Sequence, residues 1–120
     1  MKYETFKLNK DFKRLYGRGK CLIFPSVIIY LQKNKLDRCR IGVTVSKKIG
    51  NAVNRNRAKR VILASFREVL PNIISGYDFI FVARVRTANV KSTVVLNTMK
   101  KAFLSEGIIT EYEKNNDSGN

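Results

Sequence analysis

Between Ser46 and Arg60 the chain carries six cations and no acid: Lys47, Lys48, Arg55, Arg57, Lys59 and Arg60. Any fold it adopts has to leave this stretch at the surface, because a cation buried without a partner costs several kcal/mol. The stretch enters the longest helix that the spacing predicts, residues 51–70. The second half of that helix is amphipathic, with Ile62, Phe66, Val69 and Leu70 on a buried arc and Arg57, Arg60 and Arg67 opposite. Arg55 and Lys59 fall on the same arc one to two turns earlier, so the first half is charged nearly all round. It must project past the core or border a groove. Cations at a helix N-terminus also oppose the macrodipole, by roughly 0.3–1 kcal/mol each. The arrangement is accounted for if an external anion supplies the counter-charge, and the unpaired N–H groups of a first helical turn favour an anion too. Lys47 and Lys48 reach the same place from the preceding strand, through a Gly50-Asn51 turn with free amides.

The anion is expected to be a polymer. The formal net charge is +15 on 120 residues, and a charge that large seeks polyanions. It is also clustered: from Lys33 to Arg60 ten Lys/Arg stand against Asp37 alone, whereas beyond Lys101 the acids Glu106, Glu111, Glu113 and Asp117 face only Lys114. Neither GxxxxGK[ST] nor GxGxxG occurs, so the phosphate loops of nucleotide-binding proteins are not matched. RNA is the partner that this pattern points to. A DNA-binding helix-turn-helix fits less well, because no partner helix precedes residue 51. At 44% hydrophobic the chain folds rather than remaining a basic arm, and its length suits one domain. No apolar run approaches the ~18–20 residues of a membrane-spanning helix, and Met1-Lys2-Tyr3-Glu4 does not open a signal peptide, so a cytoplasmic protein is expected. Cys21 and Cys39 lack metal-ligand spacing and read as reduced structural thiols.

Leu8, Phe12, Leu15 and Tyr16 recur at helical spacing, with Asn9 expected to cap the helix and Gly17 to end it. Leu22–Leu31 reads as a strand, with Pro25 implying an edge or bulge near its start. Arg40–Ser46 alternates with Ile41, Val43 and Val45 on one face, as in a half-buried strand. Pro71 stops the long helix, Tyr77–Ala83 is apolar on both faces as a central strand should be, and Arg84–Lys91 is a basic connection. Thr93–Leu104 is a second amphipathic helix, with Val95, Leu96, Met99 and Phe103 on one side. The order is helix, two or three strands, helix, strand, helix: an α/β (α+β) single-domain sandwich over residues 1–111, followed by a polar, disordered tail over 112–120.

A protein-borne catalytic centre cannot be assembled from these residues. Histidine is absent, which removes the usual general base. Glu4, Asp11, Asp37, Glu68 and Asp78 are scattered, whereas two-metal phosphodiester cleavage needs clustered carboxylates. Phe12 and Tyr16 lie one turn apart at a spacing compatible with base stacking, but the residues alone favour ordinary core packing.

The strand Arg40-Ile41-Gly42-Val43-Thr44-Val45, running into Ser46-Lys47-Lys48-Ile49-Gly50-Asn51-Ala52-Val53 and then Arg55-Asn56-Arg57 and Lys59-Arg60, resembles the signature of the bacterial ribonuclease P protein subunit. The likeness extends through Leu8, Phe12, Tyr16, Tyr77-Asp78-Phe79-Ile80 and Ala83-Arg84, over roughly residues 5–105. It implies an αβββαβα order with a left-handed βαβ crossover, as in the ribosomal-protein-S5-domain-2-like fold. It further implies a subunit of an endoribonuclease whose RNA carries the catalytic centre and which removes the 5′ leader from precursor tRNA. The implied partners are the catalytic RNA and precursor tRNA, with no membrane and no protein partner. Mg²⁺ would be held mainly by the RNA. By residue, Lys47, Lys48, Asn51, Arg55, Asn56, Arg57, Lys59, Arg60 and Arg67 are expected to bind RNA. Phe12, Tyr16, Tyr30, Thr44 and Ser46 are expected to border the leader cleft, with Phe12 or Tyr16 partly exposed to it. An arginine frequent in the family's helix is replaced by Leu63, and Arg67 is the candidate to carry that charge. The alternative is a ribosomal or other structural RNA-binding protein with no substrate role. In either case Arg57→Ala and Arg60→Ala are expected to weaken RNA binding while leaving unfolding almost unchanged.

Overall fold

The computed structural model describes residues 2–110. The elements are β1 (Lys2–Thr5), α1 (Asn9–Arg18), β2 (Lys20–Ile23), β3 (Val27–Lys33), β4 (Arg38–Thr44), α2 (Ala52–Val69), β5 (Tyr77–Ala83) and α3 (Ser92–Ser105). From α1 onward this is the expected αβββαβα order, with one strand added in front. The strands form a single sheet in the order β1-β4-β5-β3-β2. β4 runs parallel to both β1 and β5, while β3 is antiparallel to β5 and to β2. The expected tail over 112–120 lies outside the described residues.

β5 is central, as its sequence predicts, and alternation sends its side chains to two different layers. Phe79 and Phe81 point to the α2 and α3 side, where both rings lie within 6 Å of Phe66 and Phe79 stacks on Phe103 at 4.9 Å. These four rings are fully buried, each contributing about 1.5–3 kcal/mol through its removal from water. Asp78 and Ile80 point the other way, to α1. Leu15 is the fully buried residue of α1, and Gly42 on β4 lets the Phe12 ring rest on the strand, since a Cβ there would come within 2.5 Å of it.

Asp78 is 3% exposed and makes the ion pairs of that second layer. Arg40 grips it with two hydrogen bonds, Nε to Oδ1 at 3.0 Å and Nη2 to Oδ2 at 2.6 Å. Arg14 Nη2 adds a bond of 3.0 Å to Oδ2, and Asn34 Nδ2 one of 2.8 Å to Oδ1. The hydrogen bond to Asp78 raises the pKa of Arg40 above its ordinary value, against partial burial.

Four local expectations are corrected. Leu8, not Asn9, occupies the cap of α1 and makes no side-chain cap bond; Asn9 is the first helical residue. Gly17 lies inside the helix, which ends at Gly19. The expected strand Leu22–Leu31 is a hairpin: Pro25 sits in the turn between β2 and β3, which proline suits better than a ladder position. Of the two cysteines only Cys39 is in the core, where burial raises its thiol pKa, while Cys21 is exposed.

Candidate RNA interface

The cationic segment leaves the sheet at the end of β4. A 3-10 turn, Lys47–Ile49, carries Lys47 and Lys48 outward while Ile49 anchors it in the core. Gly50 follows at φ 131°, a conformation that few residues but glycine adopt. Asn51 then caps α2 by accepting a hydrogen bond of 3.0 Å from the Asn54 N–H. The turn thus brings Lys47 and Lys48 to the entry of α2, as expected, but Asn51 spends its side chain on the cap.

On α2 the buried positions are Ala58, Val61, Ile62, Ser65, Phe66 and Val69. Arg55 and Lys59 lie toward the edge of that arc and line a groove along β4 together with Val43, Val45, Ala52 and Asn56. Arg55 is half-buried, and its Nε is shielded from water with no hydrogen-bond partner. Asn56, Lys59 and Arg60 are exposed. Arg57 and Arg67 are exposed too, but each commits one nitrogen: Arg57 Nε donates to the Ala88 carbonyl at 2.8 Å, and Arg67 Nε donates to the Tyr3 hydroxyl at 3.1 Å. Both guanidiniums keep further N–H donors for a partner. Among the described residues the ion pairs use Arg14, Lys20, Arg38 and Arg40; none involves the cations from Lys47 to Arg67.

The expected cleft residues gather on the α1 side of the sheet. Tyr16 is 39% exposed, and its hydroxyl is 2.9 Å from Thr44 Oγ1. Tyr16 meets Tyr30 edge-to-face at 4.8 Å and Phe12 at 6.5 Å. Phe12, Tyr30 and Thr44 are half-buried, and Ser46 is exposed at the strand end. A hydrogen bond with Cys21, then burial, raises the pKa of Tyr30, so it presents a neutral phenol. Phe12 and Tyr16 thus form a surface cluster rather than part of the central core. Leu63 is half-buried against the core, and Arg67 lies one turn further along α2, tied to β1.

Sequence reasoning missed β1, whose Tyr3 hydroxyl accepts from Arg67, and it missed that Arg57 braces the 3-10 turn Val85–Asn89. The expectation for Arg57→Ala is therefore revised. Arg60→Ala should weaken RNA association and leave the unfolding midpoint unchanged, since substitutions at such surface positions stay within about 0.5 kcal/mol. Arg57→Ala should weaken RNA association and also lower stability by about 1 kcal/mol, the worth of one hydrogen bond. Urea titrations of the two variants check this. A large loss of stability in Arg60→Ala would mean that the residue serves the fold.

The chain resembles known proteins in sequence and in fold. A family model described as Ribonuclease P matches residues 1–106. The ribonuclease P protein component of Clostridium acetobutylicum is 34% identical over 117 residues, covering 96% of this chain and 98% of that one. That of a Thermoanaerobacter species is 35% identical over 116 residues, covering 95% and 100%. Among solved structures, the RNase P protein of Staphylococcus aureus superposes with a TM-score of 0.76 at 31% identity, covering 88% of this chain and 96% of that one. That of Thermotoga maritima gives 0.72 at 28% identity, covering 81% and 94%.

Proposed function

The chain belongs to the ribonuclease P protein family, and from that premise we propose a division of labour across its surface: the cationic face of α2 docks on the catalytic RNA, and the aromatic cleft beside α1 takes the single-stranded 5′ leader of precursor tRNA. The chain is a protein component of ribonuclease P, a ribonucleoprotein enzyme, and assists the RNA subunit in 5′-leader processing. The purely structural RNA-binding alternative is not favoured.

The observation that carries the proposal is the cationic strip from Lys47 to Arg67, left without carboxylate partners among the described residues and adjoining the Tyr16–Tyr30–Thr44 cluster through the end of β4. Lys47, Lys48, Arg57, Lys59, Arg60 and Arg67 would neutralise phosphates, with Asn56 and the Nδ2 that the cap leaves to Asn51 adding hydrogen bonds and Arg55 a sheltered guanidinium. Tyr16 and Tyr30 offer ring faces and hydroxyls to unstacked bases, with Phe12, Thr44 and Ser46 alongside. The face presents cations and amides, so Mg²⁺ would be held mainly by RNA phosphates. This chain's contribution is to lower repulsion between two RNAs and to orient the leader. No helix among the described residues is long and apolar enough to cross a membrane, and a cytoplasmic site of action belongs to the same proposal.

The test is binding of precursor and mature tRNA to the enzyme reconstituted with a bacterial ribonuclease P RNA. The protein should confer a preference for the leader-bearing form. Tyr16→Ala with Tyr30→Ala should reduce that preference about tenfold, since stacking is worth ~1–3 kcal/mol per base. An unchanged preference with and without the protein would sink the leader assignment.

A further inference from the structure

We propose that Thr87, which touches no RNA itself, is the positioning residue for Arg57: it clamps the 3-10 turn Val85–Asn89, whose Ala88 carbonyl holds the Arg57 guanidinium in the pose that meets a phosphate of the catalytic RNA. This rests on the docking reading of α2 above and gives a role to a residue outside the cationic strip.

The buried polar side chains among the described residues are Ser26, Ser65, Asp78 and Thr87. Asp78 gathers the ion pairs on the α1 side, and Ser65 bonds to the Val61 and Ser92 carbonyls. Thr87 is fully buried beside the residue that Arg57 grips, and its hydroxyl is used in both directions. It accepts from the Arg84 N–H at 2.8 Å and donates to the Ser26 carbonyl at 2.5 Å. The Thr87 N–H donates in turn to the Arg84 carbonyl at 2.9 Å. Arg84 Nη1 reaches the Phe24 carbonyl at 2.9 Å, and Ser26 Oγ lies 3.2 Å from Thr98 Oγ1 on α3. One hydroxyl thus fastens the turn to the end of β5 and to the β2–β3 connection, and through Ser26 to α3. Ala88 comes next in the chain, 6% exposed, and its carbonyl accepts from Arg57 Nε at 2.8 Å. The same turn packs against α2 and against Lys47–Ile49.

An arginine that docks on RNA must lose its side-chain freedom, and that loss weakens binding unless the side chain is already ordered. The bond at Nε fixes the plane of the guanidinium. It leaves Nη1 and Nη2, a fork that fits two phosphate oxygens. A carboxylate in place of the Ala88 carbonyl would also hold Arg57, but it would cancel the charge that a phosphate needs. A backbone carbonyl orients the cation and leaves it a cation. Arg60, three residues on, is exposed and makes no hydrogen bond or ion pair among the described residues, so its ordering is left to the RNA. The two arginines therefore differ in what they lose on docking. Without the Thr87 hydroxyl, the Arg84 N–H and the Ser26 carbonyl lose their shared partner, and the turn that carries Ala88 is free to shift.

The test measures the affinity of the full chain for a bacterial ribonuclease P RNA in a double-mutant cycle. Thr87→Val should weaken binding about fivefold, the effect of leaving one long side chain to be ordered at the interface. In the Arg57→Ala background the same substitution should change affinity by less than about twofold. Thr87→Ser keeps the hydroxyl and should keep most of the affinity. Urea unfolding follows the stability of each variant separately, and binding is compared where each is folded. An equal penalty from Thr87→Val in both backgrounds, or a penalty in neither, would overturn the assignment and leave Thr87 a residue of the fold alone. If Thr87→Val fails to fold, side-chain nitrogen relaxation of the wild-type chain decides. The Arg57 Nε–H should be as ordered before RNA is added as after, whereas that of Arg60 should become ordered only on binding. An Arg57 side chain as mobile as Arg60 in the free protein would overturn the proposal. Loss of affinity in Arg57→Ala with none in Thr87→Val removes this inference alone, whereas unchanged affinity in Arg57→Ala removes the docking reading of that residue with it.

Discussion

Asp78→Ala is expected to destabilise the protein by about 3–5 kcal/mol, the range for removing one partner of a buried ion pair. The carboxylate holds Arg40 through two hydrogen bonds, Arg14 through a third and Asn34 through a fourth. Without it, Arg40 loses both of its carboxylate hydrogen bonds, and Arg14 is left with Asp11 alone, 2.9 Å from its Nη1. A single domain has only about 5–15 kcal/mol in hand, so much of the variant should be unfolded on modest warming. Thermal and urea unfolding of wild type and variant measure the difference. The effect should fall on folding and reach RNA binding only through it. A loss below about 1 kcal/mol would show that water replaces the carboxylate and that the cluster does not tie α1 to β5.

The second large effect is on association. Affinity for RNA should fall by about 10³-fold or more between about 50 and 200 mM salt, because neutralising six or more phosphates releases as many condensed counterions. The structure supplies enough groups: Lys47, Lys48, Arg55, Arg57, Lys59, Arg60 and Arg67 all lack carboxylate partners among the described residues. Removing one of them should weaken binding and also flatten the salt slope by about one phosphate contact. Arg60→Ala is the cleanest choice, since its exposed guanidinium makes no hydrogen bond or ion pair among the described residues. A salt response close to flat would mean that these cations do not meet phosphates.

What could be read from the sequence followed from local periodicity. The span of α2, the central place of β5 and the amphipathic face of α3 each repeat a pattern within a few residues, and each was found nearly to its ends. The surface location of the 46–60 cations followed from the cost of burying them. What could not be read depends on residues far apart in the chain. Asp78 interrupts an otherwise apolar strand, and its partners Arg14 and Arg40 lie 64 and 38 residues away. β1 has four residues, with the burial of an edge strand, and only its pairing with β4 reveals it. The helical wheel put Arg55 and Lys59 on the buried arc; it could not say that the arc's edge opens onto a groove, because that needs the position of β4. The same holds for Pro25, whose turn is evident only once β2 and β3 are seen to pair.

The strand order also bears on how the chain is made. β5 lies between β4 and β3, yet its residues leave the ribosome after both. Until Tyr77–Ala83 has been synthesised, β3 and β4 have no common neighbour, and Phe66 waits for the rings of Phe79 and Phe81. The nascent chain therefore carries its apolar strands and its basic helix uncompleted through the first two thirds of translation. The β1–β4 and β2–β3 pairs can be joined into one sheet only once β5 is made, so a truncated product ending before β5 is expected to be unstable.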